Sequence, residues 1–296
     1  MRVFVTGASG FVGSAVVNEL ISAGHQVLGL ARSDSSAQKI INAGAQVHRG
    51  DLDDLTSLQQ GAASCDAVIH TGFNHDFSKF KANCEADRQV IGALAATLKG
   101  SDRPLIITSG IGLINIGRTV TEDDAPPVSS DVMPRVATEE AANAASASGV
   151  KIFIVRLPPT THGEGDHGFV PMIINIAKTK GESAYIAEGK NPWPAVHRLD
   201  AAVLYRLVAE QQPRQQVYHA VAEEGIPFKN IAEAIGQGLH LPTTSRSGIE
   251  AEAHFGWFTH FASLGCPASS AKSRETLGWK PTHPGLLEDL ATASYF

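Results

Sequence analysis

No stretch of this 296-residue chain is apolar for long enough to cross a bilayer, so a membrane-spanning helix is excluded. Cysteine is scarce: Cys65, Cys84 and Cys266 show no CxxC spacing. That rules out a disulfide framework or zinc ribbon and leaves ordinary buried or surface thiols. Positive charge is in deficit, with 24 Lys and Arg against 30 Asp and Glu and a net charge of −6. Such a surface repels phosphate backbones, so no nucleic-acid partner is expected. Internal repeats and low-complexity tracts are absent, and the alanine-rich stretch Ala137–Ala147 is ordinary helix composition. The opening Met1-Arg2-Val3-Phe4-Val5 is too short for a signal peptide and breaks at once into Thr6-Gly7. It reads as a strand, and the expected location is cytoplasmic.

Apolar residues make up 43% of the chain, near the globular average. The length suits one large or two modest domains. Short buried strands are expected at Val3–Thr6, Gln26–Leu30, Ala45–His48, Ala67–His70, Pro104–Thr108 and Lys151–Val155. Helical spacing falls between them, at Phe11–Ala23, Ser36–Asn42, Asp53–Gly61, Phe77–Lys99 and Arg135–Ser148. Strand–helix alternation with short links predicts an α/β fold, a Rossmann-type doubly wound parallel sheet that binds ligands at the carboxyl ends of its strands. After Arg156 the pattern loosens, with loop signals at Pro158-Pro159, Gly163-Glu164-Gly165 and Asn191-Pro192-Trp193-Pro194. Helices are expected there at Val170–Lys180, Asp200–Glu210, Phe228–Gly236 and Ala271–Leu277. The division is therefore 1–156 for a dinucleotide-binding domain and 157–296 for a smaller substrate lid, with about 196–220 returning to the first domain.

Thr6-Gly7-Ala8-Ser9-Gly10-Phe11-Val12-Gly13 places three glycines between a strand and a helix, the context a dinucleotide turn requires. Gly7 permits the tight turn, Gly10 lets the backbone approach a pyrophosphate, and Gly13 allows the helix to pack on the strand. The pyrophosphate is expected over Ser9–Val12, at the positive end of the helix. The second strand ends in Ala31-Arg32-Ser33, with no carboxylate to hold a ribose 2′-hydroxyl. Arg32 and Ser33 could instead hold a 2′-phosphate, favouring NADP over the alternative NAD; a solvated surface arginine is the competing reading. In Gly50-Asp51-Leu52, Asp51 could accept from the adenine amino group or cap the next helix.

TGASGFVG, then ARS, then GDL, then a strand ending in His70-Thr71-Gly72 resemble the extended short-chain dehydrogenase/reductase superfamily, of the NAD-dependent epimerase/dehydratase type. The likeness spans nearly the whole chain. Arg156-Leu157-Pro158-Pro159, His162-Gly163 and Ala195-Val196-His197-Arg198-Leu199-Asp200 carry it onward. It implies that Leu52, Thr71, Gly72, Thr108 and Pro158 line the dinucleotide and that Ser109, at the end of the fifth strand, orients the substrate.

The superfamily's usual chemistry uses a Tyr with a Lys four residues later, the Lys lowering the tyrosine pKa. None of Tyr185, Tyr205, Tyr218 and Tyr295 has such a lysine, and none lies on the helix Arg135–Ser148. Arg135 and Glu139 take that i, i+4 spacing, where a simple helix ion pair is the expected arrangement. The resemblance is thus to an atypical branch lacking the pair. The candidates left for the proton are His75, which a neighbouring Asp76 could tune, together with His162 and Tyr185, while Ser109 orients the carbonyl. A metal is not expected: His70/His75 and His162/His167 lack the i, i+4 spacing of a helical zinc motif.

These observations suit an NAD(P)H-dependent oxidoreductase of small aldehydes or ketones, the cofactor carrying the hydride. Two alternatives stand beside it, a nucleotide-sugar epimerase or dehydratase and a non-catalytic NADP-binding redox sensor. The expected partner is a small carbonyl substrate. A homodimer through Phe77–Lys99 and Arg135–Ser148 is suggested by the likeness and by the small residues Ala137, Ala141, Ala142, Ala144 and Ala145. Burial of those alanines against the chain's own sheet is the alternative.

Overall fold

The computed structural model describes residues 1–292 and 295–296. The chain runs β1 (Arg2–Thr6), α1 (Phe11–Ser22), β2 (Gln26–Ala31), α2 (Asp34–Asn42), β3 (Gln46–Arg49), α3 (Leu55–Ala63), β4 (Ala67–His70), α4 (Phe80–Leu98), β5 (Leu105–Gly110), α5 (Ala137–Ala147) and β6 (Ile152–Leu157). There follow β7 (Thr160–His162), α6 (Phe169–Lys180), β8 (Ser183–Ile186), β9 (Pro192–His197), α7 (Arg198–Gln211), β10 (Val217–His219), β11 (Glu223–Pro227) and α8 (Phe228–Leu239). The chain ends in β12 (Thr243–Arg246), α9 (Gly248–Phe255), α10 (Thr259–Ser263), α11 (Ala271–Leu277) and α12 (Leu286–Leu290). Among the described residues no helix is long and apolar enough to cross a membrane.

Seven parallel strands form the central sheet in the order β10-β6-β5-β4-β1-β2-β3. The chain leaves β1 toward β2 and β3, then returns to the other side of β1 with β4. The strand order therefore reverses between β1 and β4, which opens a crevice at their carboxyl ends. Successive residues of β1 feed two cores because side chains alternate across a strand. Val3 and Val5 pack with Val16 and Leu20 of α1 and with Tyr205 and Val208 of α7. Phe4 packs with Leu58 of α3, Leu94 of α4 and Ala142 of α5. Buried on both faces, these strands read as unbroken apolar runs.

The second half does not stay in the lid. Helix α7 packs on α1, where Arg206 holds Glu19 at 2.6 Å, and β10 extends the sheet beside β6. The lid proper comprises the strands β11-β9-β7 and β12-β8 with α6, α8, α9, α10 and α12 around Trp193, Phe228 and Phe258. Its short strands pair with distant partners (β9 with β7 and β11, β8 with β12), so local periodicity does not announce them. Ala141, Ala142 and Ala145 are buried against the chain's own sheet, whereas Ala144 is exposed.

The helix ion pair expected between Arg135 and Glu139 does not form. Glu139 points into the core and meets Arg156 of β6 in a two-pronged pair, Nε to Oε1 at 2.8 Å and Nη2 to Oε2 at 2.7 Å. Both side chains are almost fully enclosed, 3% and 2% exposed. The Arg156 Nη1 also donates to the Asp124 carbonyl at 2.7 Å. A buried charge without a partner is far costlier than a pair, so Glu139 is needed wherever Arg156 is buried. His219 of β10 completes the cluster. Its Nδ1–H donates to the Ser269 carbonyl at 2.8 Å, leaving Nε2 bare, 3.2 Å from the Arg156 guanidinium.

Glu139→Ala should destabilise the fold by about 3–5 kcal/mol by stranding Arg156, whereas the double variant Glu139→Leu/Arg156→Met should recover most of that loss; denaturant unfolding of both checks this. A second outcome concerns acid. Burial first, and then the Arg156 charge, push the His219 imidazole down to about 4. Burial, followed by repulsion from His162, lowers His197 to about 4 as well. Both rings bind protons more weakly folded than unfolded. Their contribution is therefore complete above pH 6.5 and is lost as pH falls from there through about 4. Melting temperature measured across that window should fall with acid, and His219→Asn should flatten part of the fall.

Candidate active site

The crevice between β1 and β4 is built from the glycine turn. Gly7 sits at φ +68°, a conformation favouring glycine. A Cβ on Gly13 would lie 2.0 Å from the Gly7 carbonyl oxygen, so α1 can approach β1 only with glycine there. The N-cap of α1 is Gly10, which offers no capping side chain, and no acidic residue occupies the first turn. The positive end of α1, spanning Ser9, Phe11 and Val12, is thus left for an anion. Thr71 Oγ1 donates to the Thr6 carbonyl at 2.7 Å and sits under both Gly7 and Gly13. Gly72 N–H donates to Thr6 Oγ1 at 3.2 Å, with Leu52 against it. Pro158 is buried just past β6. These residues fit a dinucleotide whose pyrophosphate lies across the turn.

At the adenosine end, Arg32 is exposed. The Ser33 hydroxyl is already engaged, capping α2 through Ser36. Arg49 at the end of β3 pairs with Asp34 at 2.6 Å. Asp51 Oδ1 accepts from the backbone N–H groups of Asp53 and Asp54 at 2.8 and 3.2 Å, so it shapes the turn before α3. The N-cap of α3 is Asp54.

Beneath the crevice runs a buried polar chain. Thr6 Oγ1 contacts His70 Nδ1 at 2.6 Å, and His70 Nε2 contacts Asp87 Oδ1 at 2.9 Å. A carboxylate only accepts, so His70 carries its proton on Nε2 and takes the Thr6 hydroxyl proton at Nδ1. The other Asp87 oxygen accepts from Arg135 Nη1 at 2.7 Å and from Thr138. Burial alone would raise Asp87, but the Arg135 charge and the bonds from His70 and Thr138 hold it far below the usual carboxylate range. Arg135 also donates to Thr138 and to the Thr108 carbonyl, and stacks 4.1 Å over the Phe73 ring. Its side chain is 17% exposed. Among the described residues its Nε–H and one Nη2–H have no protein acceptor.

The four residues singled out for catalysis are not brought together. Ser109 Oγ donates to Glu139 Oε1 at 2.6 Å and is buried, so its proton is committed to the Glu139–Arg156 pair. His162 is buried at the end of β7, its Nδ1 2.6 Å from Asp289 and its ring edge-on to His197. Tyr185 lies in the lid, with Lys229 5.6 Å over its ring. His75 alone shares the crevice mouth with Arg135. Burial, then the Arg135 and His167 charges, lower it below the usual histidine range. Asp76 does not tune it; that carboxylate caps the turn after it through Ser78. His167 sits edge-on to Phe11, 5.7 Å away, and Arg198 lies over the same ring.

Asp87, Thr138 and Arg156 were not anticipated as site residues. The available signal was a charge out of place. Asp87 falls on the α4 stripe of Cys84, Ile91 and Leu94, and Arg156 ends the apolar run Ile152–Val155. The three cysteines are free and buried. Burial pushes the Cys84 thiol up to about 11 and Cys266 up to about 12, so neither is a ready nucleophile.

The model of the NAD dependent epimerase/dehydratase family matches residues 3–221. An uncharacterized Schizosaccharomyces pombe protein is 49% identical over the full length of both chains. A 2-alkyl-3-oxoalkanoate reductase of Stenotrophomonas maltophilia is 30% identical, covering 71% of this chain and 66% of its own. Among solved structures, a double mutant of a dTDP-glucose 4,6-dehydratase from Streptomyces venezuelae with NAD bound shares the fold, at TM-score 0.78 and 17% identity, over 100% of this chain and 96% of that one. With the glycine turn, the switch-point crevice and the seven-stranded parallel sheet in place, the chain belongs to the NAD dependent epimerase/dehydratase family.

Proposed function

We propose that this chain is an NADP-dependent oxidoreductase that reduces small aldehydes or ketones, with Arg135 as the group that polarises the carbonyl oxygen. The observation that carries the reading is Arg135 itself. It stands at the crevice mouth, fixed by Asp87, Thr138 and Phe73, with two N–H groups left over. A guanidinium so held can donate to an oxygen that gains negative charge, without reorganising as it does so. The bound nicotinamide would supply the hydride to the carbonyl carbon. Ser109 offers the substrate only a lone pair, because its proton is given to Glu139. His75, with its lowered proton affinity, suits relay of a proton from water to the oxygen rather than storage of one. The relative named as an oxoalkanoate reductase agrees with carbonyl chemistry.

The decisive experiment is steady-state consumption of NADPH by the purified protein over a panel of carbonyl compounds. Sustained oxidation supports the reading. Binding of NADPH without consumption would favour a sensor, and retention of cofactor through purification with no net consumption an isomerase.

Arg135→Lys keeps a charge for Asp87 but loses the fork. It should lower kcat by about a hundredfold while leaving NADPH affinity and melting temperature nearly unchanged. Unaltered turnover removes Arg135 from the reaction. For the cofactor, Arg32 is the free cation at the adenosine end. Arg32→Ala should weaken NADPH roughly ten- to hundredfold, the size of a charge-assisted hydrogen bond, and spare NADH. Equal losses for both would mean that Arg32 stacks on the adenine and that 2′-phosphate is not recognised.

A further inference from the structure

The loop after β4 is rich in aromatic side chains, and they do not enter either core. Phe73 and His75 lie 5.2 Å apart, Phe77 and Phe80 5.7 Å, and Phe73 and Phe80 6.4 Å between ring centres. From the lid, Trp257 reaches across to Phe77 at 5.7 Å with the planes 33° apart. Trp257 is 60% exposed, the one exposed Phe, Tyr or Trp among the described residues. A large indole left open to water is costly unless something covers it, and a patch of this kind marks a contact surface.

Its position says what that contact is. Phe73 directly follows Gly72, whose backbone N–H bonds Thr6 at the crevice floor. The ring of Phe73 lies under Arg135, so the aromatic wall begins at the group proposed to hold the carbonyl oxygen. Trp257 marks its other end, on the lid. Between them stand rings and a single guanidinium, with no free carboxylate: Asp87 is paired below, and Asp76 is turned to Ser78. A sugar would need several hydroxyl partners on this wall, and a nucleoside diphosphate would need cations. A flat conjugated body would find faces on both sides, because rings prefer offset-stacked or edge-to-face neighbours.

We infer that the site takes a planar aryl or conjugated ketone, its ring between Phe77 and Trp257 and its carbonyl oxygen toward Arg135. This rests on the oxidoreductase reading for the direction of the carbonyl, but the binding part can be tested without turnover. Trp257 closes the substrate against the lid, and Phe77 closes it against the sheet domain.

The test compares acetophenone with cyclohexyl methyl ketone, which match in size and differ in planarity. Their binding to the full-length protein saturated with NADP⁺ is measured by calorimetry, so no hydride is available. Acetophenone should bind roughly fivefold to tenfold more tightly, the size of one good aromatic pair. Trp257→Ala should erase that preference and leave the saturated ketone nearly unchanged, and Phe77→Leu should do the same from the other wall. Circular dichroism confirms that each variant is folded, which the exposure of Trp257 favours. Equal affinity for the two ketones, or a preference that survives both substitutions, overturns the inference. The two readings fail separately. Stacked binding without NADPH-driven reduction would sink the oxidoreductase and keep the aryl site. Reduction of short aliphatic aldehydes with no aryl preference would do the opposite.

Discussion

Arg135 and Glu139 stand one helical turn apart, and both point inward rather than to water. The polar architecture of the carboxyl edge follows from having to satisfy them. An enclosed guanidinium requires a carboxylate, and Asp87 supplies it from α4. An enclosed carboxylate requires a cation, and Arg156 supplies it from β6. Each of those partners then demands more. Asp87 takes His70, and through it Thr6 at the end of β1; Arg156 takes the Asp124 carbonyl and faces His219 of β10. Two charges on one helix thereby tie together five elements of the sheet domain. Paired ions of this kind add little net stability over an apolar core, but removing one member is severe. Their effect is to fix where things are, and here they fix Arg135 at the crevice.

The lid is held by different means. Its strands and helices pack on an aromatic and aliphatic core centred on Trp193, Phe228 and Phe258. Its connections to the sheet domain are α7 and β10, which return to pack on α1 and β6. A cluster of imidazoles and carboxylates closes the seam. His162 is paired with Asp289 of α12, His197 stacks on His283 at 4.8 Å, and His283 holds Asp200 of α7 at 2.8 Å. The C-terminal segment is thus pinned to the same strands that lead into α7. The seam leaves the loop after β4 free to meet the lid through Trp257 alone, which is what a substrate crevice needs.

The sheet domain was legible in the sequence because each of its signals is local. Val3–Val5, the glycine turn and the apolar stripe of α1 occupy twenty consecutive residues, and strand–helix alternation repeats the same logic. The turn's role followed from three glycines in a known context. What was not legible depends on pairs far apart in the chain. The partner of Glu139 is seventeen residues on, and the partner of Arg135 lies forty-eight residues back. Spacing on one helix suggested that the two would pair with each other, because i, i+4 is the only proximity a sequence displays. Likewise, β7 has three residues and β9 opens on a proline; both exist because they lie beside each other. Ser109 and His75 were picked for their place after strands. Only coordinates show that one proton is already given away and that the other ring is flanked by two cations.

The arrangement at positions 135 and 139 is a self-consistent unit rather than a set of independent substitutions. A lysine at 139 would set its ammonium against the buried Arg156, two cations in a space that excludes water, and a cost of several kcal/mol would follow. A tyrosine at 135 would leave Asp87 without its guanidinium, and the carboxylate would then take up a proton or lose His70 as a neutral donor. Either single change breaks a buried pair, so neither residue can be exchanged while the rest stays as it is. Arg156 and Asp87 hold the site to arginine and glutamate. A carbonyl oxygen entering this crevice therefore meets a fixed cation, not a phenol. The chemistry available at that point is electrostatic stabilisation of negative charge on oxygen, with the proton delivered from elsewhere.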